Sequence, residues 1–311
     1  MESVASLPAW VAFGAFVIVA LAIDLALHRD AHEIGFTEAL AWSVVWIALA
    51  LLFNGFVYGR FGREAALQFF TGYLVEKSLS VDNIFVFVAL FQAFAIPLRL
   101  QHRVLFWGVI GAVLMRAIFI FAGAALMARF HWVMYLFGAI LILTGGRLLV
   151  RRAPDVDPRR NPLYRAFARI VPLTADYAGD HFIVQSEGRR KATPLLAALV
   201  AVETVDVIFA VDSIPAIFAI TQDPFLVFTS NIFAILGLRA MFFLIGDAVV
   251  KFRHLGVGLA LVLLFIGAKM VATDFVQVPI VVSLAVIVGL IGASLLASLR
   301  QWITGPKRLS R

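Results

Sequence analysis

The chain contains no cysteine. That excludes disulfides, thiolate metal centres and thiol redox chemistry carried by its own side chains. Charge is scarce as well: 14% of the residues are charged, well short of the roughly 25% of a soluble domain. Histidine is scarce and badly placed for a buried metal. All six (His28, His32, His102, His131, His181, His254) fall at or near the ends of apolar runs or between them. An interior site for zinc or copper, which favour thiolate or imidazole, therefore lacks ligands. No basic stretch precedes the first apolar run and no small-residue cleavage pattern follows it, which argues against a cleaved signal peptide.

What is present is hydrocarbon. Hydrophobic residues make up 62% of the 311, and the mean hydropathy is +0.98. Apolar runs of about 18 residues or more, each able to span the bilayer as a helix, recur along the whole length. The fold class is thus all-α: a polytopic membrane protein with about nine spans, near 8–28, 37–58, 64–95, 101–128, 132–150, 194–221, 224–249, 254–273 and 277–299. The third, at about 48 Å if straight, is too long to cross upright and must tilt, bend or break.

The net charge of +7 would suggest nucleic acid if the basic residues were clustered, but they sit mostly at span ends. With the N-terminus outside, 18 Lys and Arg fall in inside loops and the tail, 3 (Arg60, Arg63, Arg129) fall outside, and 5 lie within spans. The expected orientation is N-out, C-in across a bacterial inner membrane. Residues 151–193 then form a basic cytoplasmic loop, expected to be part extended and part amphipathic on the membrane face. Anionic lipid would be its partner.

The chain also resembles itself. "VDNIFVF" (81–87) matches "VDVIFAV" (205–211), "LMRAIFIF" (114–121) matches "GLRAMFFL" (237–244), and "LILTGGR" (141–147) matches "LLFIGAK" (263–269). The organisation is two N-terminal helices (1–63), a three-helix unit (64–150), the loop (151–193), a second three-helix unit (194–273), and a last helix with a basic tail (274–311). Units with an odd number of helices enter the membrane from opposite sides, so the repeat is inverted. That symmetry suits a carrier with a site near the midplane, between the repeats.

The stretch 201–221 places Glu203, Asp206 and Asp212 in the sixth span, where three ionised side chains would cost about 8–10 kcal/mol on insertion scales. Asp206 is the repeat equivalent of Asp82; Glu76 aligns with Val200. Straight helices cannot aim all five acids at one point, whereas broken ones can. Candidate breakers are Pro215, which frees the Val211 carbonyl, and Ser78, Ser80 and Asn83 around Asp82. Carboxylates, carbonyls and amides suit a hard cation: magnesium, calcium or manganese. The rival reading is structural, with the acids neutralised by Arg116, Arg239, Lys77 and Lys269, of which the two arginines could equally be gate charges. Asp24 reads better as a partner for a basic side chain than as a ligand. Asn231 could line a cavity or tie helices together.

"EKSLSVDNIFVF" (76–87) and "VETVDVIFAVDSIPAIFAITQDPFLVFTSNIFAILGLRAMFF" (202–243) resemble the two signature segments of the TerC family, over roughly 64–275. That family is similar in layout to lysine-exporter-type carriers built from three-helix repeats. The resemblance implies manganese export, with Glu76, Asp82, Glu203, Asp206 and Asp212 as the cation path and Asn83 and Ser213 beside it. Manganese would be the transported substrate, with no resident cofactor. Protons are the expected coupling partner, since a desolvated acid cluster resists full ionisation. Tellurite is an oxyanion that five carboxylates would repel, so tellurium resistance reads as an indirect phenotype. The expectation is a carrier and not an enzyme. The competing readings are an intramembrane aspartyl protease, anion efflux through Arg116 and Arg239, and a membrane partner that assists insertion or metallation of other proteins.

Overall fold

A computed structural model describes residues 3–27, 35–150, 169, 171–174, 177–186, 188–249 and 255–304. Most of the expected cytoplasmic loop before Leu173, and the basic tail after Thr304, lie outside the described residues. Among those described, the regular structure is helical apart from one hairpin and an isolated Leu173–Ala192 bridge. The helices are α1 (Leu7–Leu27), α2 (Phe36–Ala93), α3 (Leu98–Arg129), α4 (Val133–Val150), α5 (Pro194–Phe218), α6 (Pro224–Leu236), α7 (Leu238–Val249), α8 (Leu255–Val271) and α9 (Ile280–Thr304). The hairpin pairs β1 (Ile183–Ser186) with β2 (Arg189–Ala192).

Seven described helical segments are long and apolar enough to cross a membrane; an eighth, Gly256–Val271, is shorter. The expected count of nine spans is not confirmed. The second and third spans fall in the single 58-residue α2, interrupted at Gly62, whose φ of 90° and ψ of 178° lie where an L side chain is strained. The seventh is divided at Gly237 into α6 and α7. Large apolar side chains such as Ile18, Leu52, Leu143 and Leu296 point away from the protein. In lipid such exposure is favourable, and the helical ladder satisfies the backbone polar groups.

Local chemistry sets the helix starts. Asp223 caps α6 by accepting from the Phe225 and Leu226 amides at 2.9 and 3.1 Å, with Pro224 following it. Pro194 opens α5 in the same way. The aromatics Trp10, Phe13 and Phe16 fasten α1 to Phe225, Phe228 and Phe233 of α6.

In the bundle α2 packs on α6–α7, α3 packs on α5, and α4 packs on α8. Glycines set the α4–α8 approach: a Cβ on Gly267 would stand 2.8 Å from the Gly138 carbonyl oxygen.

The described part of the 151–193 loop is docked to helix ends. The Tyr177 hydroxyl donates to the Phe94 carbonyl at 2.7 Å, Arg103 pairs with Asp180, and its guanidinium lies over the Phe182 ring. The extended part is the β1–β2 hairpin. Arg169 is helical, and the rest of 151–170, where an amphipathic part was expected, lies outside the described residues.

Candidate cation site

Four helices meet around a buried arginine. Arg116 of α3 is 1% exposed. Its guanidinium pairs with Glu76 of α2 and with Asp206 of α5, the latter with Nη2–Oδ1 at 3.2 Å. It also donates to Ser213 Oγ at 3.1 Å and to Asn231 Oδ1 of α6 at 3.2 Å. Asn83 Nδ2 donates to Asp206 Oδ1 at 3.4 Å. Five donors in a planar fork let one arginine reach both acids at once, one on α2 and one on α5.

Beside this cluster is a cavity of about 70 Å³, lined by Glu76, Asn83, Arg116, Thr144, Asp212 and Ser213 among others. Asp212 accepts from Thr144 Oγ1 of α4 at 2.8 Å. The second oxygen of Glu76, Oε2, is buried with no hydrogen-bond partner. A buried carboxylate oxygen without a partner carries a large desolvation cost. Asp206 lines a second, smaller pocket together with Arg239.

The structure brings Glu76, Asp206, Asp212, Asn83, Ser213 and Arg116 together. Glu203 stands apart: its carboxylate lies against Gly111 of α3, so close that a Cβ there would collide with it. Ser80 is buried, its hydroxyl turned back to the Glu76 carbonyl at 2.8 Å. Val211 is half-exposed. The Asp82 side chain lies outside the described residues; its backbone is helical. Among the described residues, no three of His, Asp or Glu are grouped closely enough to hold a metal by themselves.

Two expectations need correction. Neither acid-bearing helix is unwound: α2 runs unbroken from 63 to 93, and α5 from Pro194 to Phe218 through Pro215. Ser78 and Ser80 bond their hydroxyls to carbonyls four residues back, which leaves the ladder in place. Pro215 stands three residues before the end of α5, so it removes one ladder bond from a turn about to finish. Of the four basic residues weighed against the acids, Arg116 pairs with Glu76 and Asp206. Lys77 does not pair with Glu76; its amine donates to the Ala234 carbonyl at 3.3 Å, beside the α6–α7 break. Arg239 pairs with Asp24 of α1, and Lys269 donates to Ser283 at 3.0 Å. Asp24 is indeed a partner for a basic side chain.

Thr144 and Gly111 were not foreseen. Thr144 falls inside the repeated segment "LILTGGR" and is a lone hydroxyl in an apolar run, which could have marked it. Gly111 has no such signal, because only packing shows what it makes room for.

A helical bundle suited to lipid, with carboxylates, amides and a guanidinium sealed inside it, defines a polytopic integral membrane protein with a charged internal site. The family model for the integral membrane protein TerC family matches residues 61–306, and the chain belongs to that family. It is 57% identical over 298 residues to an uncharacterized membrane protein of Myxococcus xanthus, covering 96% of this chain and 93% of that one. It is 45% identical over 301 residues, 94% of each chain, to the Escherichia coli K12 protein provisionally named membrane-bound redox modulator Alx. No solved structure matches the chain.

Proposed function

We propose that this protein is a carrier that exports divalent cations from the cytoplasm, manganese first among them. The observation that carries the reading is the cavity lined by Glu76, Asp212, Asn83 and Ser213, together with a Glu76 carboxylate whose Oε2 is buried without a hydrogen-bond partner. These are hard oxygen donors, suited to manganese, magnesium or calcium. A volume near 70 Å³ holds a largely dehydrated ion and a water or two, since each water occupies about 30 Å³ in the liquid. The site lies between the two three-helix units, where inverted-repeat carriers bind their cargo. Asp206, and Asp82 one residue before Asn83, complete the path, and Glu203 stands next along α5.

The orientation that goes with export is N-terminus outside and C-terminus inside a bacterial inner membrane. Protons are the counter-ion that carboxylates can exchange for a metal. Alx is named for redox, but this chain has no thiol with which to act directly. Altered metal content is an indirect route to such a phenotype, as it is to tellurium resistance.

The test is manganese content in cells lacking their own exporters. Wild type, Asp82→Asn and Asp206→Asn are expressed at equal membrane levels. Wild type lowers cellular manganese and both amides abolish the effect. Export that survives in both variants moves the path elsewhere. No effect of wild type favours a membrane partner protein instead.

A further inference from the structure

The guanidinium inside the acid cluster bears on how such a carrier resets. This argument rests on cation transport through the cavity. A carrier that alternates between two faces must return without its cargo. Carboxylates left bare in a dry interior make that return costly, because each needs a countercharge. Glu76 and Asp206 come from different three-helix units, and a single side chain, Arg116, satisfies both. Arginine stays protonated, so its charge is always available.

The same guanidinium has a second set of partners. Nη1 donates to Ser213 Oγ at 3.1 Å and to Asn231 Oδ1 at 3.2 Å, both neutral acceptors. These can hold the arginine when its carboxylates are taken. A divalent ion carries twice the charge and can approach the Glu76 oxygen that faces no partner.

We propose that Arg116 is a tethered counter-cation. It holds Glu76 and Asp206 when no metal is bound, gives them up to the metal while staying on Ser213 and Asn231, and lets the empty carrier return with no exchanged cation on those two acids. A purely structural salt bridge would instead be needed in every state alike.

The distinguishing readout is net efflux against exchange. Full-length protein in proteoliposomes is assayed for net manganese efflux, and for exchange of radiolabelled manganese with manganese on both sides, which never requires an empty return. Arg116→Gln is expected to lower net efflux about a hundredfold or more, the scale of breaking a buried ion pair, while exchange persists. Arg116→Lys, which keeps the charge without the fork, is expected to retain net efflux between wild type and Arg116→Gln. The proposal is overturned if Arg116→Gln loses exchange and net efflux together, as a misfolded variant also would. It is equally overturned if net efflux is unchanged, or if Arg116→Lys falls as far as Arg116→Gln. Wild-type vesicles that show neither efflux nor exchange would remove the transport reading itself.

Discussion

Replacing Asp212 with Asn separates cargo binding from folding. Asp212 makes one described side-chain hydrogen bond, accepting from Thr144 Oγ1 at 2.8 Å, and it lines the cavity. An asparagine carbonyl oxygen can accept the same bond, so the loss is that of converting a charged to a neutral acceptor, about 1 kcal/mol. A loss of that size lowers the melting temperature of a domain of comparable or smaller size by roughly 2–4 °C. For a cation, by contrast, the amide removes a full charge from the wall. Even an outer-sphere partner of a metal is worth about 10–100-fold in affinity or activity, so export should fall at least that far. Glu76→Gln is the counter-example. Glu76 and Arg116 are both 1% exposed, and breaking a buried pair costs about 3–5 kcal/mol; Asp206 retains part of the arginine and softens this. The assay is manganese content of exporter-deficient cells at matched membrane levels, with melting of the purified variants followed in parallel. The expected result is two export-dead variants, of which only Glu76→Gln is clearly destabilised. The reasoning is refuted if Asp212→Asn exports like wild type, or melts as low as Glu76→Gln.

Two further predictions concern stability alone. Gly267→Ala places a methyl 2.8 Å from the Gly138 carbonyl oxygen and 2.9 Å from Ile142 Cγ1; α4 and α8 must part, at about 1–3 kcal/mol. Gly146→Ala, with nothing within 4 Å, should be neutral or raise the melting temperature, which makes it the matched control. At the α8–α9 connection, hydrogen bonds from the Tyr135 hydroxyl and then His131 hold Asp274 below its usual carboxylate range. A depressed folded pKa contributes stability above the unfolded value, near 3.9, and loses it as pH falls through the folded one. Asp274→Asn should therefore melt below wild type at neutral pH, with the gap closing below about pH 4; a gap that persists in acid would exclude this ionisation as its source.

Much of the site was legible in the sequence because burying a carboxylate in an apolar run is costly, and costly residues mark themselves. Glu76, Asp206 and Asp212 stood out on that ground, and the self-matching segments related Asp82 to Asp206. The error over broken helices had a definite cause. Serine and proline permit a break but do not compel one when the hydroxyls bond back to the helix and the proline stands near its end. For Lys77, adjacency to Glu76 does not make a pair. Neighbours in sequence on a helix point about 100° apart, and Lys77 turns to the Ala234 carbonyl while Glu76 turns to Arg116.

Composition and periodicity by themselves determined that this chain lives in a membrane as a helical bundle, because hydrocarbon admits few other ways to satisfy a backbone. They also determined which acids were too costly to be incidental. Tertiary structure decided which cation those acids meet. Arg116, Arg239, Lys77 and Lys269 are equally plausible partners by sequence, and pairing between helices depends on depth and rotation that no local pattern encodes. Only the packing of α3 against α5, with α2 and α6 alongside, brings a single guanidinium between Glu76 and Asp206 and leaves the second Glu76 oxygen buried without a partner.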